Sequence, residues 1–499
     1  MYLKGRKHAR SYSSDSEADI PQKRRQASYP KPRGKALRKA KNINRKGRKS
    51  YIPRSSDILS YAPANTRFGE DAHPVVVPLT DLPELNHVAF GIPKTATAIV
   101  ARTYLQDGEY YAHCSMEEQY DGQRLKYSSK LDANLLTHLM NKNLHNELAY
   151  QETHIMRVSA ERLRKFIIGT AREVNYDITT SCIQCKQPLK VSVARPTECS
   201  PECQKGYDKW PIQTRLSPLL REPSVIDLLF TCLTAQLRAY TVGPDVPRRC
   251  TSVLPPLANH PFPVDDMLDI INSFPPMRPG INYEQLVNNG NDFLFHRRRE
   301  VLGWLCSTFR GMIVPTPPAD KVIFNMPLPG HAEAAGSSFL FLNTHQERHS
   351  RGGIAAFHGS PPHCVFNILC DGPNQNKISG GNVFYSKEPT VSIFYTWRSL
   401  SPEQSHIIGQ GWSNSEFKGH DVLLGLEVGK PATFYGADHE TNSHQDTVMV
   451  RHIFLLLPAI EETFRDMYGH SYWIQDESVR ARMEETFRRV HDGRLIRDV

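Results

Sequence analysis

Four cysteines fall within 22 residues, and their spacing constrains this chain more than any other feature. Residues 182–203 read CIQCKQPLKVSVARPTECSPEC: Cys182 and Cys185 form a C-x2-C pair, Cys199 and Cys203 a C-x3-C pair, with 13 residues between them. A close pair lets one turn present two sulfurs, and tetrahedral Zn²⁺ takes four such ligands. The segment predicts two knuckles joined by a β-like stretch, LKVSV, around one structural zinc. Four thiolates leave no open position for a substrate, so a catalytic metal is not expected. Disulfides or free thiols are the competing reading. Disulfides are the weaker form of it, because the opening MYLKGRKHARSYSSDSEADI has no apolar stretch of signal-peptide type.

The 499 residues are 39% hydrophobic and include 36 prolines, which suits two to four domains joined by long loops. No apolar run approaches the roughly 18 residues of a membrane span; the longest patch is IFLLLP, Ile453 to Pro458. No membrane partner is expected. The formal charge of +9 hides an asymmetry. Residues 1–54 hold 18 Lys/Arg and 3 acids, a net of +15, and the remaining 43 basic and 49 acidic side chains net −6. Residues 1–70 are expected to be a disordered basic tail, too poor in large apolar residues to offset the entropy of ordering. Clusters such as Lys23-Arg24-Arg25 suit a nuclear import receptor or the phosphates of nucleic acid. A solvated tail with no partner is the alternative.

Periodicity divides the body. Residues 75–180 read as a small α/β unit of unknown role. ATAIVARTYL and EYYAHC form a hairpin about Asp107-Gly108, followed by two helical stretches in 132–150 and 158–174. The knuckle occupies 181–205. Residues 206–312 are helical, with Cys232 and Cys306 on apolar faces, and the proline-rich 313–330 reads as a linker. Residues 331–465 carry the chemistry described next, and 466–499 a charged helix or tail.

Within 354–396, IAAF is a short buried strand running into His358-Gly359-Ser360, where the glycine permits close backbone approach to a ligand. PPHCVFNILCDG is a helix stopped by Gly372. GGNVFYS is a glycine turn into an aromatic strand, and EPTVSIFYTW a helix with Ser392 and Tyr395 on one face. His363-Cys364 is not a nucleophile–base pair, since neighbours on a helix point about 100° apart. His363 is expected at the surface and Cys364 in the core.

In this order, FHGS, a helix ending in glycine, a glycine-led aromatic strand and S-x-x-Y resemble the catalytic domain of the poly(ADP-ribose) polymerase family. The likeness is greatest to its mono-ADP-ribosyltransferase members with an upstream cysteine-rich segment, and covers roughly 180–460. It implies an α+β fold with a split sheet gripping NAD. It implies that the Gly359 backbone holds the nicotinamide carboxamide, with Ser360 beside it in the NAD site. His358 would bond the adenosine-side ribose, Ser392 the carboxamide, and Tyr395 would stack on the nicotinamide. The implied reaction breaks the nicotinamide N-glycosidic bond and transfers ADP-ribose to a protein or nucleic-acid acceptor.

Two departures accompany the resemblance. Eight residues before Ser392, where the family has a tyrosine, stands Phe384; a one-residue slip would substitute Tyr385 at the cost of switching strand faces. The family's glutamate belongs on the strand before VMVRHIFLLL, where alignment gives His439 without a gap and Glu440 with one; Asp446 is more distant. Single transfer is therefore expected rather than chain growth. The competing expectation is a degenerate transferase fold serving as a zinc-stabilised nuclear binding module. The basic tail sets the expected location as the nucleus, with a share in the cytoplasm. Deleting residues 1–54 should move a tagged protein to the cytoplasm with the body still folded, as read by fluorescence microscopy; unchanged localisation would refute the assignment.

Overall fold

Two antiparallel sheets organise the protein in a computed structural model that describes residues 74–106, 109–117, 134–150, 160–189, 198–241, 261–288, 292–322, 335–342, 353–373, 382–397, 407–409, 411–429, 440–444, 447–456 and 477–491. The expected basic tail lies outside the described residues. Arg67–Val499 forms one compact unit.

The first sheet joins β1 (Val75–Pro78), β2 (Ala98–Gln106) and β3 (Glu109–Glu117) in that order. Gln106 faces Glu109 across the β2–β3 hairpin, which is the two-residue connection the Asp107-Gly108 signal predicts. The short helix α1 (His87–Phe90) lies between β1 and β2 in the chain. Helices α2 (Leu135–Tyr150) and α3 (Ala160–Thr180) bury Leu136, Leu139, Met140, Ile167, Ala171 and Val174 against this sheet. The spacings of those residues are the i, i+3, i+4 pattern of an amphipathic helix.

After the knuckle come α4 (Pro201–Tyr207), α5 (Ile212–Arg221), α6 (Pro223–Thr241), α7 (Val264–Ser273), α8 (Tyr283–Val287) and α9 (Asp292–Thr308). Cys232 and Cys306 are buried among them, as their apolar neighbours imply.

The second sheet is built from β4 (Ile313–Pro315), β5 (Ala335–Phe341), β6 (Ile354–Gly359), β7 (Asn382–Ser386), β8 (Asp421–Val428), β9 (Glu440–His444) and β10 (Val448–Leu456). Their order is β4-β5-β10-β8-β6-β7-β9, with every neighbour antiparallel. Helix α10 (Pro362–Asp371) follows β6 and stops at Gly372, whose φ of 85° suits a residue without Cβ. Helix α11 (Pro389–Trp397) follows β7.

Both faces of this sheet are covered along its central strands. On β5, Phe339 and Phe341 join the core formed with the helices that follow the knuckle, while Leu340, and Leu342 just past the strand, join the core of the first sheet. That alternation is the period-2 signature of a strand buried on two sides. Val422, Leu424, Leu426 and Val428 of β8 point to the helical layer.

Two segments differ from their sequence reading. Residues 313–330 are not a plain linker: Ile313–Pro315 is β4, with Ile313 and Val314 buried, and Pro318–Asp320 is a turn of 3-10 helix. Proline is tolerated there because β4 is an edge strand, where no further neighbour needs the N–H that proline lacks. The charged C-terminal stretch contains α12 (Glu477–His491), which docks through buried Val479, Met483, Phe487 and Val490. Met483 and Phe487 lie against Gly425 and His452.

Beneath α12 lies a buried ionic group. Glu427 accepts from Arg451 Nε at 2.8 Å with one carboxylate oxygen and pairs with His491 Nε2 at 2.7 Å with the other. Burial alone would raise the Glu427 pKa, but the bond from His491 and the charge of Arg451 outweigh it and hold the carboxyl below its usual range. The pairing therefore stabilises the fold fully above the ordinary carboxylate pKa, and its contribution fades as pH falls through the lowered folded value. Arg451→Met should cost about 3–5 kcal/mol by leaving a buried charge unanswered. In chemical denaturation, Glu427→Leu added to it should recover much of that loss; a single variant of wild-type stability would refute the assignment.

Candidate functional site

The knuckle forms where α3 ends. Cys182 N–H donates to the Gln187 carbonyl (2.8 Å) and Lys186 N–H to the Cys182 carbonyl (2.9 Å), closing a tight turn. Lys186 carries φ of 62°, in the left-handed region, and its ammonium is held by Asp177 at 3.1 Å. The second pair comes from the start of α4, where Ser200 caps the helix by accepting from Cys203 N–H at 3.3 Å and Pro201 takes the first helical position. Arg310 ties this half to the end of α9 through Glu198 (2.9 Å) and Asp208 (3.1 Å).

The four cysteine sulfurs lie within 4.8 Å of one another; Cys185–Cys199 is 3.4 Å and Cys199–Cys203 is 3.7 Å. Sulfurs around a tetrahedral ion at ~2.3 Å stand ~3.7 Å apart, so the cluster can hold a metal such as zinc. All four are free thiols, not disulfides. Burial would raise the Cys182 pKa, but N–H groups of Cys185, Cys199 and Gln184 outweigh it and bring the thiol down to about 7. Cys199 is pushed up to about 12 by its sulfur neighbours Cys185, Cys182 and Cys203. Four thiolates could share this space only with a divalent cation to supply the balancing positive charge.

The second constellation gathers at the end of β6. His358 Nδ1–H donates to the Phe384 carbonyl on β7 at 2.7 Å, which leaves Nε2 as the acceptor, 3.1 Å from the buried Ser360 hydroxyl. Burial lowers the His358 pKa more than the Phe384 bond raises it, so the ring is neutral at physiological pH.

Gly359 has no room for a side chain. A Cβ there would lie 1.6 Å from the Ser392 carbonyl oxygen and 3.3 Å from Tyr395 Cβ. The close approach expected for a ligand is thus already made by α11. Ser392 adds a second tie, donating its hydroxyl to the Phe357 carbonyl at 2.8 Å. That proton is committed within the protein, and the Ser392 oxygen keeps its acceptor lone pairs.

Tyr395 is 37% exposed and Phe384 56%, two of the few large apolar side chains left in solvent among the described residues. Tyr385 is 3% exposed and packs in the core. The pairing of Phe384 with Asn442 and Tyr385 with Thr441 fixes this register, so no slip brings Tyr385 to the cleft. Glu440 opens β9 opposite Ser386, two residues beyond Phe384. His439 and Asp446 lie outside the described residues. His363, expected at the surface, is buried with neither ring nitrogen bonded, because α10 packs along α6; Cys364 is in the core as expected.

Sequence reasoning missed the Phe384 carbonyl as the anchor of His358, since a backbone partner on another strand leaves no residue-type signal. It also missed Lys186 as the left-handed residue of the knuckle, where glycine would have been the cue. No protein-family model matches this sequence, and no curated protein matches it.

Metal analysis of the purified protein should find close to one zinc per chain, and Cys199→Ser should lose most of it. Chelation should lower the thermal midpoint, since metal binding of this kind is folding free energy. Protein that is fully folded and metal-free would refute the site.

Proposed function

We propose that the corner between His358 and Tyr395 binds NAD and transfers a single ADP-ribose to a macromolecular acceptor, a protein or a nucleic acid, with a structural zinc in the knuckle. What carries this reading is the pairing of a neutral, backbone-anchored histidine with two solvent-facing aromatic rings beside a corner that lacks a side chain. His358 Nε2 can accept from a ribose hydroxyl once Ser360 yields. Tyr395 offers a face for the nicotinamide ring, and Phe384 a second apolar wall. The Gly359 backbone and the Ser392 oxygen are the candidate partners of the carboxamide.

In the reaction, the bond from ribose C1′ to the nicotinamide nitrogen breaks with its electron pair going to nicotinamide. An acceptor nucleophile then bonds to C1′ and loses its proton. Positive charge develops on the ribose, and a carboxylate stabilises it; Glu440, on the strand paired with β7, is the candidate. Phe384 has no hydroxyl where the family has a tyrosine. That observation favours single transfer, and it equally sustains a second reading, a nuclear binding module that holds its ligand without turnover.

Incubation with labelled NAD separates the two. Wild type should release nicotinamide and become labelled without polymer ladders, and His358→Ala and Tyr395→Ala should abolish both. Glu440→Gln should slow transfer by about 10²–10³-fold, whereas Asp446→Asn should not. NAD binding without nicotinamide release would favour the binding module; absence of NAD binding in folded protein would refute the enzyme reading and leave the binding module standing.

A further inference from the structure

Strand β6 carries the His358-Gly359 corner, but its partner β7 is short. The β6–β7 ladder is paired at Phe357 and Ser386, after which β7 gives way to Lys387-Glu388 and α11. On its other side β6 pairs with β8 along its whole length, Ile354 opposite Val428 to Gly359 opposite Leu423. In an antiparallel ladder, successive residues aim their N–H and C=O groups alternately to the two sides. The β7 side of β6 therefore presents polar backbone groups beyond the point where β7 stops.

Side chains answer one of them, at Ala355, and one more at the last paired residue, Phe357. Ala355 N–H donates to Glu484 Oε1 of α12 at 3.0 Å, and the Phe357 carbonyl accepts from Ser392 Oγ of α11 at 2.8 Å. Ala355 is fully buried, so its N–H has no water to fall back on. The strand edge is completed by one carboxylate and one hydroxyl in place of a neighbouring strand.

We propose that Glu484 is a positioning residue for the cleft: by capping Ala355 N–H it holds the open edge of β6, and through β6 it keeps His358 in register with the Phe384 carbonyl. Ala355 is three residues from His358 on the same strand, and the pairing at Phe357 and the His358 ring bond connect this stretch to β7. The helix that delivers Glu484 is fixed independently, by Met483 and Phe487 on the sheet and by His491 on Glu427. Removal of the carboxylate thus leaves α12 docked and frees the strand edge alone. The consequence for ligand affinity rests on the NAD reading; the consequence for the strand does not.

The test uses the full-length, zinc-loaded protein as wild type, Glu484→Ala, Glu484→Gln and Glu485→Ala. Glu485 is its exposed neighbour, engaged in a surface pair with Arg488. Hydrogen exchange is followed by mass spectrometry. Glu484→Ala should exchange at least tenfold faster in peptides covering 353–360 and 382–388, with 421–428 and 477–491 unchanged. Glu484→Gln, whose amide oxygen still accepts, should match wild type, as should Glu485→Ala. A second arm measures NAD binding, which Glu484→Ala should weaken about tenfold and Glu484→Gln should preserve. Wild-type exchange in Glu484→Ala, or acceleration spread over the whole chain, would overturn the positioning role. If wild type binds no NAD, the cleft reading fails and the exchange arm still decides the proposal. Faster β6 exchange with unaltered NAD affinity would overturn the link from strand edge to cleft.

Discussion

A sheet covered on both faces has to answer its own charges, and Glu427 is where that requirement bears hardest. Its carboxylate is fully buried on β8, one of the inner strands, level with Ala355 on β6. Water cannot reach it, so each oxygen needs a cation or donor from the protein. Arg451 comes from the adjacent strand β10 and His491 from the last described helix. The second of these draws in a distant part of the chain. Helix α12 cannot leave without exposing Met483 and Phe487 and stripping one oxygen of Glu427 of its partner. The same helix reaches Asp320, just past β4, through Arg489, so the two ends of the sheet-forming segment are held together.

The cleft grows from a different constraint, the absence of a side chain at Gly359. The missing Cβ lets the backbone of α11 approach β6 until the Ser392 carbonyl fills the space. Helix packing this close orients everything that follows Ser392, so Tyr395, one turn on, emerges beside the His358 corner. The strand pairing does the same for Phe384, because only its backbone carbonyl is used by His358, and the ring is left in solvent. The candidate site is thus a by-product of packing: one glycine brings Tyr395 up to β6, and one register sets the Phe384 carbonyl on His358.

Much of this was legible in the sequence wherever the signal was periodic or local. The β2–β3 hairpin, the helices following the knuckle, the end of α10 at Gly372 and the paired cysteines each announce themselves within about 20 residues, the range over which helix and strand periods are readable. What was not legible depends on partners far away in the chain. Prolines 315, 317 and 318 read as a linker, yet Val314 is fully buried because β5 arrives beside it. The apolar stripe of α12 was present at Val479, Met483, Phe487 and Val490, but dense charges between those positions masked it. The choice between Phe384 and Tyr385 could not be made from alternation alone; it waits on the pairing with β9. His363 looked like a surface residue by type, and only the packing of α10 against α6 buries it.

The two borders of the large sheet share a property that its interior lacks. β4 is three residues long and ends in proline, and β9 reads ETNSH, without one large apolar residue. A border strand that is short, or polar, is a poor template for a further strand from another chain. The long apolar strands, β8 and β10, are held in the middle, where each has a neighbour on either side. Self-association by strand addition is thereby discouraged at both rims, including the rim formed by β9 beside the candidate site.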